Sequence, residues 1–94
     1  MISFTTRVEL HSENYTDFEM LHNAMQNEGF SRLITSGDGI TYHLPRAEYD
    51  IYTSKNRSAV LEAAKRAVAT TRKTAEILVT ESLGRTWSGL TPVK

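Results

Sequence analysis

Residues 36–53 read SGDGITYHLPRAEYDIYT, and the predicted order of strands depends on this segment. The triplet GDG favours a tight hairpin turn, because glycine and aspartate tolerate the backbone angles that such turns require. Residues 40–44 then alternate in polarity as a half-buried strand does. Pro45 predicts a break or bulge, since proline has no N–H to donate to a strand ladder. The residues after it, 46–52, can resume the pairing or lead as a loop into a helix.

The chain before this segment predicts a strand, a helix and a second strand. Residues 2–11 alternate in polarity over their whole length, which is typical of a half-buried strand. Residues 14–29 change to helical spacing, with Asn14 as the cap and with Gly29 in the left-handed position that often ends a helix. Residues 30–36 are short and rich in β-forming residues, so they predict the second strand.

The chain after this segment predicts a second helix and a further strand. Residues 54–73 carry an apolar stripe at helical spacing, and the stripe is rich in alanine, so this helix can lie close to a sheet. Either Ser54 or Asn56 is a suitable cap. Residues 74–82 alternate as a strand, and residues 83–90 indicate a turn with a short extra strand.

The resulting order is β-α-β-β-α-β over one domain, residues 1–94. We predict an α+β fold, a ferredoxin-like βαββαβ sandwich in which a four-stranded antiparallel sheet of order 4-1-3-2 carries both helices on one face. A fifth strand at the edge is possible. In this order the strand after the GDG turn is central and pairs with the first strand.

Composition limits the function classes. The chain has 11 basic and 11 acidic residues, so bulk charge gives no sign of nucleic-acid binding. It has no cysteine, which excludes disulfides and thiolate metal sites. No apolar run is long enough to span a membrane, and we predict no signal peptide. A bacterial or viral cytoplasmic protein without a cofactor fits best.

The charges are unevenly distributed along the chain. Residues 9–28 contain five acidic side chains and no lysine or arginine, whereas residues 55–73 contain six basic side chains and only Glu62 as an acid. Such a basic segment is either a solvated helix surface or a face that binds RNA phosphates. The candidate RNA-binding residues are Arg32, Lys65, Arg66, Arg72 and Lys73.

His11 and His43 are the candidate catalytic pair, with Arg7 beside them. If the third strand pairs with the first, all three side chains share one end of the open sheet face. Imidazole titrates near neutrality, so one histidine can accept a proton while the other donates one, and an arginine can stabilise the phosphate. The alternative is that both histidines are surface residues without a role. The histidine spacing matches no compact metal motif, so we predict no metal site.

Two other side chains have a structural and a functional interpretation. His22 lies on the inner or boundary stripe of the first helix, where a packed and hydrogen-bonded histidine is a better interpretation than a ligand. Trp87, the single tryptophan, either packs at an edge or stacks on a nucleic-acid base.

Four runs, TRVEL, LHNAMQNEGFSRLI, SGDGITYHLPRAEY and VTESLGRTW, together resemble the GhoS-type endoribonuclease antitoxins of type V toxin–antitoxin systems. The resemblance implies a ferredoxin-like fold, similar to the small nuclease of CRISPR adaptation. It also implies a sequence-selective endoribonuclease that cuts the messenger RNA of a small membrane-active toxin. The CRISPR nucleases use an aspartate at the end of the first strand, where this chain has Glu9, Leu10, His11 and Ser12. This difference favours cleavage without a metal ion.

A second functional class stays open beside the enzyme. The chain can be a non-enzymatic accessory module of a phage or prophage that binds a host protein or nucleic acid through its sheet face or edge. Free edge strands can pair with a partner, so either a monomer or an edge-strand homodimer is compatible with this fold. An RNA-recognition motif is disfavoured, because Phe4 and Tyr42 belong to the inward set of the alternation.

Overall fold

The computed structural model describes residues 1–11 and 14–94. Glu13, counted above among the acidic residues, and Ser12 lie outside the described residues. Two helices and five strands follow in the order β1 (Ile2–Leu10), α1 (Tyr15–Asn27), β2 (Leu33–Thr35), β3 (Thr41–His43), β4 (Glu48–Thr53), α2 (Arg57–Ala69) and β5 (Ala75–Ser82). β1 is the centre of an antiparallel sheet of order β4-β1-β5, and β2 pairs with β3 in a separate two-stranded sheet. The predicted α+β class is therefore confirmed.

The predicted position of the strand after the GDG turn was wrong. β1 pairs with β4, with Phe4 opposite Ile51, and not with β3. β3 ends at His43, before Pro45, because proline cannot continue a ladder as a donor. The residues after the proline resume pairing as β4 and take the place beside β1 that was predicted for β3. Among the described residues the four-stranded order 4-1-3-2 is not formed, since the outer side of β4 carries only an isolated bridge between Ser31 and Asp50 there.

The hairpin at the GDG turn is confirmed. Leu33 lies opposite His43, and the Ser36 N–H donates to the Ile40 carbonyl at 2.8 Å. Gly39 has a φ of +86°, which an L side chain rarely adopts. The short extra strand predicted within residues 83–90 is not formed. A single bridge lies further along the chain, where Pro92 is opposite Tyr42 of β3.

The core lies between the β4-β1-β5 sheet and the two helices, which cover the same face. The alternation predicted for β1 is confirmed at Phe4, Thr6, Val8 and Leu10, which are all buried, whereas Ile2 is exposed. The buried face of α2 is rich in alanine as predicted. The core cluster combines side chains from the sheet and from both helices, namely Phe4, Val8, Leu10, Leu21, Met25, Phe30, Tyr49, Ile51, Val60, Ala63, Ala64, Ala67 and Val68.

The predicted helix ends are confirmed. Asn14 and Asp17 form a reciprocal capping box, with hydrogen bonds of 2.9 and 3.0 Å between each backbone N–H and the other side chain. Gly29, with a φ of +98°, follows α1, and the Phe30 N–H donates to the Met25 carbonyl. Asn56 caps α2. In the part of the chain that the structure describes, neither helix is long and apolar enough to cross a membrane.

Candidate functional site

His11 lies in the turn just after β1, whereas His43 is the last residue of β3 in the other sheet. The Nδ1 atom of His11 lies 2.9 Å from the Thr74 hydroxyl, and its Nε2 atom lies 3.8 Å from the Glu76 carboxylate. The N–H of His43 donates to the Thr91 carbonyl at the far edge of the hairpin. Their expected proximity depended on pairing between β1 and β3, and that premise was wrong. The catalytic roles of both histidines stay a prediction.

Arg7 lies among carboxylates on the open face of the sheet. Its guanidinium is 2.6 Å from Glu9 and 3.3 Å from Glu48. Glu76, the neighbour of His11, belongs to the same end of the sheet. A phosphate that approaches Arg7 therefore meets several negative charges, and competing carboxylates already use the guanidinium donors.

Of the four candidate RNA-binding cations in the second helix segment, three are paired with acids within the described residues. Arg66 binds Glu28 at 2.9 Å, and Lys73 lies 3.8 Å from Asp17, so each cation pairs with a carboxylate at one end of α1. The hydrogen bond from Arg66 lowers the pKa of Glu28 and raises that of Arg66. The other two cations are Lys65, which lies 3.3 Å from Glu62, and Arg72, which is exposed. Half of the six basic side chains in residues 55–73 thus form ion pairs, and RNA binding by the candidate residues stays a prediction.

A concave surface lies where α1 meets β4, and His22 is at its centre. The Nδ1 atom of His22 lies 2.6 Å from the hydroxyl of Tyr49, which is 1% exposed. The predicted packed, hydrogen-bonded His22 is therefore confirmed. The helical spacing of α1 places Phe18 one turn before it, with the two ring centroids 6.1 Å apart. The alternation of β4 turns Tyr49 toward the core.

The burial of this pair sets its protonation state. Burial raises the pKa of Tyr49 to about 12, so its hydroxyl is protonated at neutral pH. Burial also lowers the pKa of His22, and the charge of Arg32 adds to this effect while Glu19 opposes it. The imidazole is therefore neutral near pH 7, with one nitrogen held by the phenol.

Two arginines lie beside this imidazole. Arg32 and His22 line two adjoining cavities of about 400 and 360 Å³. Arg46 lines the second cavity, and its guanidinium lies 4.3 Å from the centroid of the Phe18 ring, in a cation–π contact. Neither Arg32 nor Arg46 belongs to an ion pair found within residues 1–11 and 14–94. We call His22, Tyr49, Arg32, Arg46 and Glu19 the His22 corner.

The His22 corner has the parts for chemistry on a phosphate. Two guanidinium groups can bind phosphate oxygens, and a neutral imidazole can accept a proton. The ring of Tyr15, 79% exposed, lies on the wall of the second cavity and is available for stacking.

Among the residues of the His22 corner, the sequence predicted only Arg32 as a ligand-binding side chain. It missed Arg46 and Tyr49, although the alternation of residues 46–52 was a signal that Tyr49 faces inward. No group of three or more histidine, aspartate or glutamate side chains in the described part of the chain is arranged to hold a metal ion. Independence from metal stays a prediction.

Comparison with known proteins identifies the family. The family model described as endoribonuclease GhoS matches residues 1–84, which include all seven helices and strands. No sequence among the curated proteins matches the chain. The match covers most of the 94 residues, and it confirms the resemblance noted in the sequence. The chain therefore belongs to the GhoS endoribonuclease family.

Proposed function

We propose that this protein is a cytoplasmic endoribonuclease antitoxin that cleaves the messenger RNA of a small toxin at the His22 corner, without a metal ion. Membership of an endoribonuclease family supports RNA as the substrate. The observation that carries the choice of site is a neutral histidine beside two arginines that lie outside the ion pairs of the described chain. At the other candidate site, on the open face of the sheet, carboxylates surround Arg7.

The proposed reaction is transfer of the RNA phosphate to its own 2′-hydroxyl. The 2′-oxygen attacks phosphorus and gives its proton to the free nitrogen of His22, while the bond from phosphorus to the 5′-oxygen breaks. A water molecule supplies the proton to the leaving 5′-oxygen. Arg32 and Arg46 bind the non-bridging oxygens and stabilise the charge that develops on them. The products are a 2′,3′-cyclic phosphate and a 5′-hydroxyl.

Tyr49 has a positioning role in this reaction. A base at Nε2 requires the tautomer that carries its proton on Nδ1, and in that tautomer Nδ1–H donates to the Tyr49 oxygen at 2.6 Å. Because Tyr49 is buried and packed against Phe30, it holds the imidazole in one orientation. The ¹⁵N chemical shifts of His22 report this tautomer directly.

The test compares two sets of histidine variants in cleavage of a labelled mixed-sequence RNA, with EDTA or with magnesium. We expect His22→Gln to lose about 10²- to 10⁴-fold in the single-turnover rate, the usual contribution of a general base. The matched control is the double variant His11→Ala with His43→Ala, which we expect to cleave at the wild-type rate. Thermal melts of both variants establish that they are folded.

The outcomes separate the candidate sites. Loss of cleavage in the double variant, with full activity in His22→Gln, would move the active site to the predicted His11, His43 and Arg7 set. Cleavage that requires magnesium would refute the metal-free reaction. A substrate with 2′-O-methyl groups must resist cleavage, because the proposed nucleophile is then blocked. RNA that binds and stays intact in every lane, toxin messengers included, would support the non-enzymatic module instead.

A further inference from the structure

A groove of about 750 Å³ lies between the β2–β3 hairpin and the open face of the sheet. Its volume is in the range of roughly 300–1,000 Å³ that is usual for small-molecule sites. Ser31 and Leu33 line both this groove and the larger cavity of the His22 corner. The two concave surfaces are therefore neighbours, on either side of one short segment of chain.

The wall of the groove holds an ion pair fixed in place. Arg85 donates to Asp50 at 2.6 Å, and the two side chains are 23% and 18% exposed. Nε and Nη2 of Arg85 also donate to the Thr5 hydroxyl, at 3.1 and 2.9 Å. Within the described residues, Oδ2 of Asp50 and Nη1 of Arg85 have no hydrogen-bond partner. The ion pair thus offers one acceptor and one donor, and its contacts with Thr5 hold the arginine in place.

Aromatic rings lie on the same groove. Trp87 packs edge-on against Tyr42, with the ring centroids 5.3 Å apart. Tyr52 of β4 also lines the groove, and it is 62% exposed. Single-stranded RNA is recognised when an unstacked base lies on such rings and its edge forms hydrogen bonds with fixed polar groups.

Charge separates the roles of the two surfaces. The groove carries one acid and one base, Asp50 and Arg85, so it is neutral and its carboxylate repels a phosphate. The His22 corner carries two arginines against one glutamate, so it attracts a phosphate. A nucleotide chain that binds both surfaces would leave its phosphate at the corner and place a base in the groove.

We propose that this groove is a specificity subsite, which binds the base of a nucleotide adjacent to the cleaved bond in single-stranded RNA. Trp87 stacks on the base, and the Asp50–Arg85 pair reads its polar edge. The link to cleavage rests on the function proposed above, whereas base binding in the groove can be tested without any reaction. Arg85 and Trp87 lie beyond the residues matched by the family model, so this subsite is not implied by the family match.

Trp87 makes the test direct, because it is the only tryptophan in the chain. Titration with uncleavable 2′-O-methyl oligonucleotides of each single base, followed by tryptophan emission, reports occupancy of the groove. We expect a saturable change in emission and different affinities for the four bases. Trp87→Leu, followed by anisotropy of a labelled oligonucleotide, should bind roughly 5- to 150-fold more weakly, the range expected for loss of one stacked base.

Asp50→Asn tests the reading of the base edge. It keeps the shape of the side chain and the backbone bridge to Ser31 but converts one acceptor into a donor, so the order of affinities among the four bases should change. The matched control is Glu81→Gln, which removes the same charge at an exposed position of β5 outside the groove. If Asp50→Asn melts early, Trp87→Leu carries the test alone.

The two proposals fail in distinguishable ways. A saturable change in Trp87 emission without cleavage of any RNA would leave the subsite standing and refute the proposed reaction. Cleavage with no emission change, and with unaltered base preference in Asp50→Asn and Trp87→Leu, would refute the subsite and leave the reaction standing. Equal affinity for all four oligonucleotides would refute base selection in the groove.

Discussion

Replacing Tyr49 by phenylalanine removes one buried hydroxyl and leaves the packing of the ring unchanged. The hydroxyl makes a 2.6 Å hydrogen bond to Nδ1 of His22, and the ring contacts Phe30 and His22. At pH 7 the substitution should lower the free energy of unfolding by about 1 kcal/mol, the usual net value of one hydrogen bond. His22 is only half-buried, so water can partly replace the lost partner.

The same substitution should cost less at high pH. Burial raises the pKa of Tyr49 from 10.0 to about 12, so above pH 10 the unfolded chain loses this proton before the folded chain does. The folded state of the wild type is then destabilised relative to the unfolded state. Its free energy of unfolding therefore falls as pH rises from 10 through 12. At pH 11 the loss is about 1.4 kcal/mol, because one pH unit of the interval has been crossed. Phenylalanine has no proton to lose.

Urea unfolding of both proteins between pH 7 and pH 11, followed by circular dichroism, measures this difference. We expect the wild type to be more stable by about 1 kcal/mol at pH 7, and the two stabilities to meet between pH 10 and pH 11. All other titrating groups are shared, so they cancel in the comparison. A stability difference that stays constant from pH 7 to pH 11 would show that the phenol of Tyr49 is not protected from ionisation.

Three further changes have defined outcomes. Because burial lowers its pKa, His22 makes the free energy of unfolding of the wild type fall as pH falls from 7 through the folded pKa. In urea unfolding, His22→Gln should lose less of this free energy between pH 7 and pH 5 than the wild type does. Equal losses in the two proteins would refute the burial of the imidazole. Thr6 is buried and its hydroxyl has no partner within the described residues, so Thr6→Val should raise the free energy of unfolding by about 1 kcal/mol, and a lower melting temperature would contradict this. Gly29 has a φ of +98°, so Gly29→Ala should lower the free energy of unfolding by roughly 1 kcal/mol. The control is Gly37→Ala, which has no atom near the new Cβ and should melt as the wild type does.

Local patterns in the sequence predicted the elements well. The alternation of β1 placed Phe4 and Val8 in the core. The spacing in α1 predicted the buried Phe18, Leu21 and Met25, but it also included Tyr15, which is exposed. The caps Asn14 and Asn56 followed from short-range chemistry between residues three apart. These features depend on neighbours in the chain, so a single sequence is sufficient to predict them.

The choice of partner for β1 was the main error. Two segments, on either side of Pro45, both had the pattern of a strand, and the earlier one was assigned to the centre of the sheet. The structure instead pairs β1 with Glu48–Thr53, in which Tyr49 and Ile51 face the core. Pattern alone does not distinguish two strands with similar alternation, since pairing is decided by which one buries more apolar surface.

The candidate site, like the sheet, was predictable from the sequence only in part. The sequence by itself determined the chemical groups that this protein has: three histidines, no cysteine, an alanine-rich helix, a hairpin turn at GDG and the pattern of a GhoS family member. Only the tertiary structure decided which groups meet. It placed the His22 imidazole against a phenol 27 positions away and beside Arg32. It placed His11 at the end of β1 and His43 in the separate β2–β3 hairpin. Protonation and phosphate binding depend on burial and on charges within a few ångströms. Burial and these short distances arise only when distant segments of the chain pack together.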